Sequence, residues 1–123
     1  MLKPGRYNGL VVYQGATFDV TFTWRQPVVS PATVGTPVDL SGYTARMQIR
    51  QSVASTDTLL ELTTEDGGIT LGGTDGTITL AIDAADTAAV TWTSGVWDLE
   101  MVIGDSVTRL LYGRIKVSKE VTR

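Results

Sequence analysis

The sequence predicts an all-β fold, an immunoglobulin-like or jelly-roll-type sandwich of antiparallel strands with one short helix near residues 83–90. Three observations carry this expectation. Several segments alternate apolar and polar residues with the period of two that a half-buried strand requires. Turn residues separate those segments at short intervals. Threonine, valine and glycine dominate the composition. The 123 residues fit a single domain spanning 1–123, and a chain of this size buries roughly two-thirds of its unfolded surface, enough for a core without staples.

The organising stretch is PVDLSGYTARMQIR, residues 37–50. It turns at Ser41-Gly42 and continues as a strand with Tyr43, Ala45, Met47 and Ile49 on one face and Thr44, Arg46, Gln48 and Arg50 on the other. Upstream, residues 7–13 read as a first extended segment. The run ATFDVTFTW then places Ala16, Phe18, Val20, Phe22 and Trp24 on one face, which predicts the heaviest core strand. A charge at Phe18 or Phe22 is expected to unfold the domain. Residues 26–36, with two prolines and a glycine, read as a surface loop.

Downstream, TLLEL (58–62), ITL (69–71) and TITLAI (77–82) form a meander of short strands, with glycine-containing turns on either side of ITL and with Ile78, Leu80 and Ile82 inward. Asp83 caps a helix of one or two turns through Ala84, Ala85 and Asp86. A closing hairpin follows. Trp97, Leu99, Met101 and Ile103 share one face of its first strand, opposite Val96, Asp98, Glu100 and Val102. Its return strand sets Leu111, Gly113, Ile115 and Val117 against Tyr112, Arg114 and Lys116. Gly113, in mid-strand, marks a bulge or a close approach by another group.

Composition narrows the chemistry. The chain has neither histidine nor cysteine, so the commonest general base, the commonest metal ligand and any thiolate or disulfide are missing. A net charge of −3 argues against the broad basic field of a nucleic-acid binder. No apolar run approaches the roughly 20 residues of a membrane span, and the amino terminus lacks a secretory apolar core, which predicts a soluble chain made in the cytoplasm. Glu65, Asp66 and Asp75 lie in glycine-rich turns without the spacing of a calcium loop. DGGITLGGTDG has no Lys-Ser/Thr pair and is not a phosphate loop. Asp98 and Glu100 share a strand face, but nothing in the sequence builds a cleft around them. No enzyme, cofactor or metal is expected.

The remaining candidates are contacts for a partner. Arg46 and Arg50 either pair with acidic side chains such as Asp98 or Glu100 or present a basic stripe. Tyr112 and Arg114 on the return strand, and Val28 and Val29 in the loop, complete the set.

The order QGATFDVTFTW, PVDLSGYTARMQIR, GGITL, TITLAIDAADTAAV, GVWDLEM and RLLYGRIKVSKEVTR resembles small tail-associated virion proteins of tailed bacteriophages. In particular it is similar to the amino-terminal β-sandwich of the upper-baseplate protein family, which couples receptor-binding proteins to the tail. Gln14-Gly15, Asp39-Leu40-Ser41-Gly42, Asp86-Thr87-Ala88 and Trp97-Asp98-Leu99-Glu100 carry the likeness. The resemblance implies a non-enzymatic structural component of the virion, docking at the tail, baseplate or neck and homo-oligomeric or multi-copy in a symmetric assembly. Other virion proteins would be its partners, with no nucleic acid and no membrane. Capsid decoration is the alternative, and a carbohydrate-binding or adhesion module using Trp92 and Tyr112 a further one. Under the docking reading the terminal segments, 1–7 and 118–123, contribute to docking, and trimming either is expected to weaken binding without unfolding the sandwich.

Overall fold

The computed structural model describes residues 5–28, 30–31 and 33–123. Nine strands and one short α-helix follow in order. They are β1 (Gly5–Arg6), β2 (Leu10–Tyr13), β3 (Phe18–Thr23), β4 (Thr44–Arg50), β5 (Leu60–Thr63), β6 (Ile69–Leu71), β7 (Thr77–Ile82), α1 (Ala84–Ala88), β8 (Ser94–Ile103) and β9 (Ser106–Ser118). They make a sandwich. One sheet has the order β1-β9-β8-β4-β5, with β2 also on β9, and the other has the order β3-β7-β6.

That connectivity decides between the two sandwich types. Strands β9, β8, β4 and β5 reproduce the G-F-C-C′ order of a variable-type immunoglobulin sheet, and β3, β7 and β6 the opposing B-E-D sheet. The fold is immunoglobulin-like. One feature departs from an all-antiparallel expectation: β1 and β2 both run parallel to β9. Strands from opposite ends of the chain are joined by no tight turn, so nothing imposes an antiparallel direction on them.

The alternation of β4 and β8 is realised in their pairing. Met47 lies opposite Leu99 and Ile49 opposite Trp97, and Met47, Ile49, Leu99 and Met101 are at most 1% exposed. Ile78 and Leu80 of β7 meet them from the other sheet in one core cluster. Burying each such side chain contributes about 1.5–3 kcal/mol before ordering entropy is counted.

The strand expected to be heaviest is a margin instead. Among the described residues β3 pairs only with β7, so on its inward face Phe18 alone is buried while Val20, Phe22 and Trp24 are half-buried and Ala16 is exposed. An edge strand has a neighbour on one side only, and its inward side chains are incompletely covered. Phe22 is partly roofed by Tyr7, edge-to-face at 5.2 Å, and stacks on Trp97 at 6.4 Å. A charge at Phe22 is therefore expected to be less damaging than one at Phe18. The Trp97 indole N–H is buried with no acceptor among the described residues.

Four short motifs are fastenings. Gly15 takes φ +85, the left-handed turn that carries the chain from β2 to β3. Its amide donates to Thr87 Oγ1 at 3.1 Å, and that hydroxyl donates to the Ala16 carbonyl at 2.8 Å. Thr87 is fully buried, so α1 is bolted to the β2–β3 turn. Gln14 extends the joint, donating to the Val90 carbonyl and accepting the Glu120 amide. Asp83 caps α1 by accepting from the Asp86 amide at 3.0 Å, as the sequence predicts. The charge of Asp83 raises the Asp86 pKa. Asp39 accepts the Ser41 amide at 2.9 Å, closing the turn before β4, and that bond lowers its pKa.

The described parts of the terminal segments are built into the fold. β1 is a strand of the large sheet, the Tyr7 amide donates to the Tyr112 carbonyl, and Glu120 is tied to Gln14. Residues 1–4 of the amino-terminal segment lie outside the described residues.

Candidate functional site

The outer face of the large sheet carries the candidate site. Antiparallel pairing sets side chains of neighbouring strands in rows across it. Arg46 lies opposite Glu100, and Gln48 opposite Asp98. Asp98 in turn faces Tyr112, Val96 faces Arg114, and Arg6 of β1 lies beside Tyr112. Together they line an open hollow of about 580 Å³, with Arg6, Arg46, Arg50, Arg109 and Arg114 set against Asp98 and Glu100. Five of the chain's ten lysines and arginines thus gather on one face of a protein whose net charge is −3.

Arg109 reaches this face because of an irregularity. Leu99 pairs with Leu111 but Glu100 with Arg109, leaving Leu110 as an extra residue in β9. Such a bulge reverses which side successive residues occupy. Leu110 turns inward and is 8% exposed, while Arg109 joins Glu100 on the outer side. A regular β9 would place Arg109 in the core.

A second irregularity brings in Arg6 and Asn8. Between the pairs Arg6–Tyr112 and Leu10–Ile115, three residues of the first segment face two of β9. The Asn8 Oδ1 accepts the Arg114 amide at 3.0 Å across that step. Gly113 is required here, since a Cβ on it would lie 1.8 Å from the Tyr7 carbonyl oxygen. The close approach that a mid-strand glycine foretells is this one, and the bulge is elsewhere.

The arginines divide by their engagements. Arg46 Nε donates to Glu100 Oε1 at 2.7 Å, an ion pair whose members are 52% and 30% exposed. Arg50 donates to the Ser55 carbonyl at 2.9 Å and to Gln48 Oε1 at 2.8 Å, and Gln48 in turn donates to Glu61. The guanidiniums of Arg6 and Arg109 lie 5.6 and 5.7 Å from the Tyr112 ring centre. Arg6, Arg109 and Arg114 have no side-chain acceptor among the described residues. Asp98 sits among these cations, yet burial and the adjacent Glu100 charge raise its pKa, with Arg109, Arg50 and Arg46 opposing them.

Of the residues singled out from sequence, the structure brings Arg46, Arg50, Tyr112 and Arg114 into this hollow. Asp98 and Glu100 are there too, so the expectation of no cleft around them is corrected. It came from treating β8 alone, whereas β1, β4 and β9 build the walls. Arg6 and Arg109 were missed. Val28 is exposed in the loop, away from the hollow's lining, and Val29 lies outside the described residues. Trp92 and Tyr112 lie apart on the molecule. Trp92 packs on the core near the point where Thr93 accepts from the Val117 amide, and Val117 is about 16 Å along β9 from Tyr112.

Of the turn carboxylates, Asp66 serves the backbone and Glu65 accepts from the Thr64 hydroxyl. Asp66 accepts the Thr63 and Gly68 amides at 3.0 and 2.7 Å, hydrogen bonds that outweigh burial and lower its pKa. Among the described residues no three acidic side chains converge as a metal site would require. Neither a protein-family model nor a curated protein matches the sequence.

Proposed function

We propose that this chain is a non-enzymatic docking module of a tailed-bacteriophage virion. In this reading it is an adaptor of the tail, baseplate or neck that holds neighbouring virion proteins through the outer face of its larger sheet. The observation that carries the reading is the gathering of five arginines around one hollow of a net-acidic protein. Charge segregated in this way steers association and selects partners. The order of motifs from Gln14-Gly15 to Trp97-Asp98-Leu99-Glu100 supplies the phage setting. The bolted Thr87 joint and the tie between Glu120 and Gln14 support a rigid module that positions neighbours.

The test is quantitative mass spectrometry of purified tailed particles from the source of the chain, followed by their dissociation into tails and capsids. The protein is expected at fixed stoichiometry in the tail fraction. Absence from particles would refute a virion role, and recovery with the capsid shell alone would refute docking at the tail.

A further inference from the structure

We propose that the arginine hollow receives an extended acidic segment of a partner protein, with carboxylates taken by Arg6, Arg109 and Arg114. This rests on the docking reading and adds the chemistry of the partner.

Three features support it. The first is unmet donor capacity. Each guanidinium offers five N–H donors in a planar fork matched to a carboxylate, and these three have no side-chain acceptor among the described residues. The second is preorganisation. Arg6 and Arg109 lie against the Tyr112 ring, which limits the freedom that binding would otherwise have to remove.

The third is spacing. Arg109 and Arg114 stand on one strand, with the extra residue Leu110 between them, so their anchor points are about 13–16 Å apart. An extended peptide repeats its same-side residues about every 6.6 Å. Carboxylates at three alternate positions span the distance.

Charge distribution selects among anionic partners. Asp98 and Glu100 lie within the same hollow. A nucleic-acid backbone carries evenly spaced charge and would set phosphates against them. A peptide can present carboxylates to the arginines and neutral residues to Asp98. A second copy presenting the same basic face would meet like charge.

The experiment is fluorescence anisotropy with a labelled peptide of about nine residues alternating glutamate and threonine, spaced as the strand repeat requires. Its controls are the glutamine-for-glutamate peptide, an oligothymidylate of similar length, and sedimentation of the protein alone. The acidic peptide is expected to bind, to weaken as salt rises to roughly 0.3 M, and to lose at least about tenfold in affinity on Arg109→Glu/Arg114→Glu. Arg114→Gln, which leaves the strand chemistry milder, is expected to lose part of the affinity with an unchanged circular dichroism spectrum. Equal binding of the glutamine peptide, no binding up to roughly 1 mM, tighter binding of the oligothymidylate, or salt-labile self-association through the same arginines would each overturn the assignment. Recovery of the protein in tail particles together with any of these results would leave docking standing and remove only the acidic-segment chemistry.

Discussion

Arg46 and Glu100 are joined across the β4–β8 ladder by a 2.7 Å hydrogen-bonded ion pair on a solvent-facing sheet. Exposed pairs of this kind contribute about 0–1 kcal/mol, so the pair does little for folding. It does restrain one arginine and places a negative charge inside the hollow. Glu100→Gln is expected to change stability by less than about 1 kcal/mol by chemical denaturation. The same substitution is expected to strengthen acidic-peptide binding by roughly fivefold, the effect of relieving about 1 kcal/mol of repulsion.

Asp98 makes a pH-dependent contribution of definite sign. Burial, with the charge of Glu100, raises its folded-state pKa above the ordinary 3.8. Ionised Asp98 therefore opposes folding. That opposition is fully present above the raised pKa, fades as pH falls through it, and is gone below 3.8. Asp98→Asn is expected to raise the melting temperature near pH 7 and to lose that advantage near pH 3, read from thermal melts at the two conditions.

Thr87 holds α1 to the β2–β3 turn with a hydroxyl that both accepts and donates. Thr87→Val keeps the shape and leaves the Gly15 amide and the Ala16 carbonyl without their partner. A loss of about 1–3 kcal/mol is expected by urea denaturation. Thr87→Ser, which keeps the hydroxyl, should cost less.

Gly113 admits the Tyr7 carbonyl where any side chain would collide with it. Gly113→Ala is expected to displace the first segment from β9 and cost about 1–3 kcal/mol. Amide hydrogen exchange at Tyr7, whose N–H donates to Tyr112, should show the loss of protection directly.

Much of this architecture is legible in local patterns. The period of two in β4 and β8 identifies their buried faces correctly, and the Asp83 cap places α1. What local patterns do not contain is which strand neighbours which. The same apolar alternation serves a central strand and an edge strand, so β3, rich in aromatics, reads as the heart of a core that it only borders. The hollow follows the same logic. Arg46, Arg50, Tyr112 and Arg114 lie on regular strands and can be assigned to a face. Arg6 depends on a pairing between opposite ends of the chain, and Arg109 on the bulge at Leu110. One signal for Arg109 is in the sequence. A regular β9 would send Leu110 outward and Arg109 inward, and that reversal of polarity is the mark of an extra residue.

Docking through the arginine face is tested most directly by incorporation of Arg109→Glu/Arg114→Glu into particles in place of the native chain. Arg109 and Arg114 are exposed, so the variant should still fold, with some loss of stability because a glutamate at 109 faces Glu100 across the strand pair; circular dichroism and a thermal melt check that it is folded. Its recovery in purified tails is expected to fall at least about tenfold. A folded variant recovered at the native level would contradict the assignment of this face as the docking surface.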